Sequence, residues 1–272
     1  MKCAWEGLLS VLPQWLRGQV SGDQETLLEL RLRKGCRAEL VCIDGKRFLK
    51  DSVTADDLNF CLNAASRYSP WAASTVNQGF VTAPGGHRIG ICGEAVVKEG
   101  RLSGFRSVSS LCIRVARDFP GISRGISFPG RAILILGPPG WGKTTLLRDL
   151  ARRLSEREQV AVVDSRCELF PLGLTDGCHL DVLYGLTKGE GVEVLLKTMG
   201  PECIVVDEIT SEEDCQAILQ ASNCGVRLAA TAHALDPSDY RRRTVYRPLL
   251  ENRVFDSFVV LHRDKSYHQE VV

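Results

Sequence analysis

The chain has 272 residues, of which 44% are hydrophobic and 25% charged, as in ordinary globular proteins. Its formal net charge of +1 gives no overall field that would favour nucleic acid or anionic lipid. No apolar stretch is long enough to span a bilayer, so direct membrane insertion is not expected. The eleven cysteines include no CxxC pair, and their odd number does not indicate a disulfide framework.

Residues 1–118 are predicted to form a mixed α/β domain. Helices are expected over 4–17 and 54–66, the first broken at Pro13, because proline cannot donate a backbone hydrogen bond. Strands are expected over 27–33, over 40–43 with a hairpin turn after them, and repeatedly within 79–116. This mixture indicates a small domain with its own sheet.

Residues 119–130 are dense in glycine, proline and serine, which predicts an inter-domain linker or a long loop within one unit. The pattern then changes over 131–272, where apolar runs suited to buried parallel strands alternate with helical segments. The runs are 131–136, 159–164, 203–207, 227–232 and 254–261, and the helices are expected near 142–155, 190–199 and 211–223. This alternation predicts an α/β domain built on a parallel sheet.

The sequence GPPGWGKTT matches the phosphate-loop pattern GxxxxGK[ST], with an apolar strand before it and a helix after it. The predicted nucleotide-binding residues are Gly137, Pro138, Pro139, Gly140, Trp141, Gly142, Lys143, Thr144 and Thr145. Lys143 is expected to reach the β- and γ-phosphates of ATP, and Thr144 to place its hydroxyl on Mg²⁺. We expect Trp141 to serve packing or a subunit contact rather than to touch the base.

Two acidic residues follow the apolar strand that begins at Cys203. Asp207 is predicted to hold Mg²⁺, directly or through water, and Glu208 to orient and deprotonate the attacking water. The alternative is an exposed acid pair at a strand end. Two other strands end at Asp164 and just before His233, and the carboxyl ends of parallel strands share one crevice. Asp164 and His233 are therefore further catalytic candidates, although His233 could instead be a core histidine.

The motif order resembles the type II/type IV secretion ATPase superfamily. The resemblance rests on the phosphate loop followed by VVDSRCE (162–168), TMGPECIVVDEI (198–209) and NCGVRLAATAHA (223–234). Within that superfamily the chain is similar to the stage III sporulation AA family, through LELRLRKG (28–35), GFVTAPGGHRIGICGEAVVKEG (79–100) and DVLYGLTKGEG (181–191). The resemblance covers nearly the whole chain in the same order.

This resemblance implies a RecA-like P-loop ATPase domain, preceded by a smaller α/β domain, that binds ATP and Mg²⁺ and hydrolyses ATP. It implies a homohexameric ring in the mother-cell cytoplasm of an endospore-forming bacterium, held at the membrane by membrane-embedded sporulation channel proteins. Arg114 occupies the position where such ATPases place an arginine over the phosphates, with Arg106 and Arg117 as weaker candidates. His233 would couple the γ-phosphate to neighbouring subunits.

Two other function classes stay open on the sequence. Ser165 replaces an acidic residue of the superfamily pattern and the segment 169–180 is short, so the chain could be a nucleotide-gated structural ring component with little turnover. A nucleic-acid-associated P-loop ATPase is the other alternative. The basic run 241–243 is better explained as a solvated helix face or a ring contact, so nucleic acid is not the expected partner.

Overall fold

The computed structural model describes residues 4–67, 76–77, 79–170 and 179–272. The chain forms two compact units, one reaching to Asp118 and the other beginning at Phe119. Within the described ranges, no helix combines the length and the apolar character needed to cross a membrane.

The N-terminal unit is a six-stranded antiparallel sheet with helices in the same apolar core. Its elements are α1 (Trp5–Ser10), α2 (Gln14–Val20), β1 (Leu27–Arg33), β2 (Arg37–Cys42), β3 (Gly45–Ser52), α3 (Ala55–Arg67), β4 (Phe80–Thr82), a 3-10 turn (Pro84–Gly86), β5 (Arg88–Lys98) and β6 (Arg101–Arg114). The strand order is β3-β2-β1-β6-β5-β4. Leu8, Leu16, Leu30 and Leu58 are fully buried together, so burial of apolar surface joins these short elements.

The predicted break at Pro13 is confirmed, because α1 ends at Ser10 and α2 begins directly after the proline. The predicted hairpin turn is also present: Cys42 pairs with Gly45, and Gly45 has a positive φ of 141°. The predicted helices and the strands over 27–33, 40–43 and within 79–116 are present with shifts of a few residues at their ends, whereas the strand β3 was not predicted.

The C-terminal unit is built on a seven-stranded sheet. Its elements are β7 (Ala132–Leu136), α4 (Lys143–Leu154), β8 (Val160–Asp164), β9 (Leu180–Tyr184), α5 (Lys188–Thr198), β10 (Cys203–Ile209), α6 (Glu212–Asn223), β11 (Arg227–Ala232), α7 (Pro237–Arg242), a 3-10 turn (Thr244–Tyr246), α8 (Arg247–Glu251), β12 (Ser257–Leu261) and β13 (Tyr267–Val271). The strand order is β13-β12-β7-β11-β10-β8-β9, and only β13 runs antiparallel to its neighbour. The predicted α/β class is confirmed.

Alternation along β7 shows why its strand is continuously apolar. Ala132, Leu134 and Leu136 belong to one buried cluster, and Ile133 and Ile135 to another. Successive side chains of a strand face opposite sides of a sheet, so both faces of this sheet are covered. The central strands of the sheet are thus a buried platform.

The segment predicted as a linker, 119–130, groups with the C-terminal unit. The carboxylate of Asp149 on α4 accepts hydrogen bonds from the backbone N–H of Gly121 at 2.8 Å and of Ser123 at 2.8 Å. The Ser123 hydroxyl donates to the same carboxylate at 2.7 Å. The segment is therefore fixed to the helix that begins at the phosphate loop. The predicted domain limits 1–118 and 131–272 stay predictions as functional divisions.

Candidate functional site

The phosphate loop joins β7 to α4 and has the backbone of an anion site. Gly140 and Gly142 have φ angles of 75° and 104°, which L-residues with a side chain rarely adopt. A Cβ at either position would meet no atom within 4 Å, so both glycines border open space. α4 begins at Lys143 with Gly142 as its N-cap. A helix N-terminus reached through turned glycines is suited to bind phosphate groups.

Lys143, His233 and Glu208 form a connected group at the carboxyl edge of the sheet. The Lys143 ammonium lies 3.2 Å from His233 Nδ1 and donates to the carbonyl of Pro138 at 3.2 Å. His233 Nε2 contacts Glu208 Oε1. Because an ammonium can only donate, Nδ1 accepts and the proton of the neutral ring lies on Nε2, which faces the Glu208 carboxylate. The histidine thus links the lysine of the loop to the predicted general base.

Burial and nearby charges shift the pKa values of Lys143 and His233. Burial lowers the pKa of Lys143 to about 8, and the nearby Asp207 carboxylate opposes that effect. The pKa of His233 is lowered by burial first and then by the positive charges of Lys143 and Arg243. Burial and the two positive charges therefore favour the neutral imidazole, which the hydrogen bond from Lys143 to Nδ1 requires.

Asp207 lies at an irregularity of β10. In the pairing with β11, Val206 opposes Ala230 and Glu208 opposes Thr231, so the register shifts around Asp207. Such an irregularity re-aims side chains, since a regular strand would send Asp207 and Glu208 to opposite faces. Asp207 is buried, and its Oδ1 has no hydrogen-bond partner among the described residues.

Charged groups of both signs surround the buried Asp207 carboxylate. Burial raises its pKa to about 6; the Glu168 charge adds to this effect, and the positive charges of Lys188, Arg166 and Lys143 oppose it. A buried carboxylate oxygen with no protein partner is suited to bind a hard cation.

Asp164, predicted as catalytic, is engaged by its own loop. It is fully buried at the end of β8. Its Oδ1 accepts from the backbone N–H of Glu168 at 2.9 Å, and its Oδ2 from those of Leu169 and Phe170 at 2.9 and 2.8 Å. Arg148 of α4 donates to the carbonyls of Glu168 and Leu169. These contacts occupy the carboxylate with its own loop, and the catalytic role of Asp164 stays a prediction.

The residues present fit a magnesium ion held largely through a nucleotide. Thr144 lies in the first turn of α4, next to Lys143, and Asp207 offers its unpaired oxygen. The described part of the chain has no cluster of three His, Cys, Asp or Glu side chains that could hold a metal alone. Mg²⁺ is commonly bound through one or two protein oxygens together with substrate phosphates, so this sparse set agrees with the predicted role of Thr144 and Asp207.

Other predicted residues have different surroundings. Arg114, at the end of β6 in the N-terminal unit, has its Nε 3.6 Å from Glu29 Oε1. Arg106 pairs with Glu94, and Arg117 donates to the carbonyl of Leu27. All three arginines belong to the N-terminal unit, and the role of Arg114 on phosphates stays a prediction.

Lys265 is a site neighbour that the sequence analysis missed. It lies in the turn between β12 and β13, and its ammonium donates to the carbonyl of Gly140 in the phosphate loop. More than a hundred residues separate the two positions in the chain. No local pattern marks this contact, which depends on the pairing of β12 beside β7.

The sequence model of the family described as "Sporulation stage III, protein AA" matches residues 6–270. The stage III sporulation protein AA of Bacillus subtilis (strain 168) is 33% identical over 280 residues, which cover 95% of this chain and 91% of that protein. Among solved structures, the pilus retraction motor PilT with bound ADP has a TM-score of 0.63 at 14% identity, covering 90% of this chain and 77% of PilT.

The Legionella pneumophila ATPase DotB has a TM-score of 0.59 at 16% identity, covering 94% of this chain and 78% of DotB. At such low identity, the two structural likenesses show the fold, which is that of the secretion ATPases. The family match and the Bacillus relative go further, since both extend over nearly the whole chain. The chain is therefore a sporulation-related, P-loop ATPase-like protein and belongs to the stage III sporulation protein AA family.

Proposed function

We propose that this protein binds ATP with Mg²⁺ and hydrolyses it. The observation that carries the proposal is the linked group of Lys143, His233 and Glu208, with Asp207 beside it, at the mouth of a phosphate loop. A loop alone would support binding only. The added acid and histidine supply the groups that hydrolysis requires.

Each residue has a distinct part in the proposed reaction. The loop N–H groups and Lys143 hold the phosphates, while Thr144 and Asp207 hold Mg²⁺, which neutralises charge on the phosphate oxygens when it is bound. Glu208 accepts a proton from water as the water oxygen attacks the γ-phosphorus. The bond from that phosphorus to the bridging oxygen breaks, and ADP and inorganic phosphate leave.

His233 controls whether Glu208 can act as a base. A carboxylate that accepts the Nε2 proton of His233 is a weaker acceptor for the proton of water. Lys143 fixes the opposite ring nitrogen, so movement of the ammonium toward a phosphate would free the imidazole. The γ-phosphate would thus be sensed through Lys143 and reported to Glu208 by His233.

Phosphate release from the purified protein tests the reaction. With Mg²⁺ and ATP, we expect release from the native chain and a fall of about 100-fold or more in Glu208→Gln, as for loss of a general base. ATP binding should survive in that variant, because Gln has nearly the same size. Release that is equal in both proteins would contradict hydrolysis and favour the structural-component alternative.

Two substitutions of His233 each keep one of its two contacts, either the contact with Lys143 or the contact with Glu208. His233→Asn keeps an acceptor near Lys143, and His233→Gln keeps a donor that can reach Glu208. We expect both variants to bind ATP but to differ in turnover. His233→Gln should turn over more slowly, because its donor holds Glu208 without release by Lys143, whereas His233→Asn should not, because Glu208 is left free to accept the proton of water. Unchanged turnover in both would show that His233 is structural.

We also propose that the protein works as a homohexameric ring in the mother-cell cytoplasm, engaged with membrane-embedded sporulation channel proteins. This proposal is supported by the sporulation family and by the fold shared with a pilus retraction motor and with DotB. Native mass measurement with and without a non-hydrolysable ATP analogue tests it. A hexamer that requires the analogue is the expected result, and a monomer under both conditions would contradict the ring.

A further inference from the structure

The C-terminal unit has a cavity of about 360 Å³ beside the phosphate loop. This volume lies within the range of about 300–1,000 Å³ that small-molecule sites occupy. The cavity shares Gly140, Gly142 and Thr145 with the loop. A nucleotide whose phosphates lie on the loop therefore has its base within reach of this cavity.

The walls of the cavity are aromatic and aliphatic. Phe119, Trp141 and Tyr267 line it together with Ile122, Leu146 and Leu261. Trp141 and Tyr267 are half-buried and pack against the apolar cluster that contains Leu146 and Leu261. Aromatic walls of this kind bind a nucleobase through its π-face, which every base has.

The polar side chains at the cavity already have partners, or do not discriminate between bases. The Tyr267 hydroxyl donates to the carbonyl of Ile122 at 2.9 Å. The Lys265 ammonium donates to the carbonyl of Gly140, and its remaining protons could reach a base. Adenine and guanine both present an N7 acceptor, so a lysine that reaches N7 does not separate them. Thr145 and the indole N–H of Trp141 are further polar groups of the lining among the described residues. The Thr145 hydroxyl can donate or accept, and the indole N–H can donate to an acceptor such as N7, which both purines have.

We propose that this cavity binds the nucleobase by stacking, so that it accepts adenine and guanine with similar affinity and pyrimidines more weakly. A site rejects an analogue strongly only when it hydrogen-bonds the group that differs, and the polar side chains of this lining can each be satisfied by either purine. Purines have the larger ring surface for stacking. The inference rests on the proposed function, because the phosphates must lie on the loop. It also adds a contact with the base to the packing role that was expected for Trp141 from the sequence.

Isothermal titration with Mg²⁺ and four probes tests the proposal: ATP, GTP, CTP and inorganic tripolyphosphate. We expect ATP and GTP to bind within about threefold of each other and tripolyphosphate to bind about tenfold or more weaker, as for the loss of base stacking. CTP should lie between them, because its single ring offers less surface for stacking. An ATP affinity more than about tenfold above that of GTP would overturn stacking-only recognition. CTP binding as tightly as ATP would overturn it as well.

Substitutions at the walls separate base binding from phosphate binding. Trp141→Ala and Tyr267→Leu should each bring ATP about tenfold closer to tripolyphosphate, and in Tyr267→Leu the affinity for tripolyphosphate itself should not change. Trp141→Phe should retain most of the ATP preference, because it keeps an aromatic ring. Tyr267 lies outside the loop, so its variant excludes a loop distortion as the cause. A full ATP preference over tripolyphosphate in both truncated variants would overturn the pocket.

Failure of the phosphate site looks different. Lys143→Ala should weaken all four probes together, which would leave the order among them intact. If the native chain binds none of the probes, tripolyphosphate included, the proposed function is overturned and the pocket with it. If tripolyphosphate binds as tightly as ATP, the proposed function stands and only the base pocket fails.

Discussion

Two acidic residues at the ends of neighbouring parallel strands differ in whether their carboxylate oxygens already accept hydrogen bonds. Asp164 on β8 and Asp207 on β10 are both buried, and burial raises the pKa of each to about 6. Asp164 receives three backbone N–H groups from the loop that follows it. Asp207 leaves Oδ1 without a partner among the described residues. A carboxylate saturated by its own loop shapes the site, and one left open is available to a ligand.

The largest effect that would test this contrast is loss of turnover in Asp207→Asn. We expect phosphate release to fall by about 1,000-fold, because a weakened Mg²⁺ site removes several kcal/mol of charge stabilisation. The unfolding free energy should hold or rise, since a buried charge is removed. Parallel phosphate-release and urea-unfolding measurements check both statements. A variant that unfolds readily would contradict the assignment of Asp207 to ligand binding.

Asp164→Ala should instead destabilise the protein. It leaves three backbone N–H groups without the carboxylate to which they donate, and those of Leu169 and Phe170 are buried. We therefore expect a loss of about 3 kcal/mol in unfolding free energy. Asp164→Asn, which keeps one acceptor oxygen, should lose less. Urea unfolding of the C-terminal unit measures the difference. If stability is unaffected and only turnover falls, Asp164 belongs with Asp207 as a catalytic group.

His87 extends the comparison to the N-terminal unit, because both of its ring nitrogens are occupied. Nδ1 accepts from the N–H of Ala116 at 3.0 Å and Nε2 lies 2.9 Å from the carbonyl of Ala4, so the ring is neutral with its proton on Nε2. Burial lowers the pKa of His87; the bond to Ala4 opposes this effect and the Arg117 charge adds to it. The neutral ring stabilises the unit above the unfolded pKa of about 6.5.

That stability should be lost as the pH falls, because the unfolded chain binds the proton more readily than the folded unit does. Between about pH 7 and about pH 5.5 we expect the unit to lose about 1 kcal/mol. Thermal unfolding across this range measures the slope. His87→Gln should flatten it, whereas His262→Gln at an exposed position should leave it unchanged. A slope that survives in His87→Gln would assign the pH dependence to other groups.

Thr231→Val has the smallest expected effect. It tests whether a buried hydroxyl without a hydrogen-bond partner among the described residues serves the reaction. The Thr231 hydroxyl is buried at the end of β11 and has no hydrogen-bond partner among the described residues. Valine has the same shape, so the unfolding free energy should change by about 0.5 kcal/mol or less. A fall in turnover of about fivefold would show that the hydroxyl serves the reaction, by one ordinary hydrogen bond. Unchanged turnover would make it a packing residue.

The parts of the site that depend on local chain geometry could be predicted from the sequence. The phosphate loop needs glycines at fixed spacing between a strand and a helix, and Asp207 and Glu208 directly follow a buried apolar run. Which oxygens stay open could not be predicted. The saturation of Asp164 depends on how the backbone folds back over residues 168–170, and no periodicity encodes that path.

The strands that were missed in the sheet of the C-terminal unit lie at its two edges. β13 is largely exposed and lacks a clear apolar pattern, since its position at the end of the sheet needs little buried surface. β9 is half-buried at the other edge and follows residues 171–178, which lie outside the described residues. Because β13 was missed, Lys265 and Tyr267 were missed as neighbours of the phosphate loop.

The irregular pairing of β10 has a consequence for protein design. Successive side chains of a regular strand alternate between the two faces of the sheet, so two consecutive acids would point into different helical layers. The register shift around Asp207 interrupts this alternation at the place where both acids are needed. Copying the letters VVDE onto an ideal strand would therefore misplace one carboxylate. The transferable unit is the irregular β10–β11 pair, and the tetrapeptide alone is not enough.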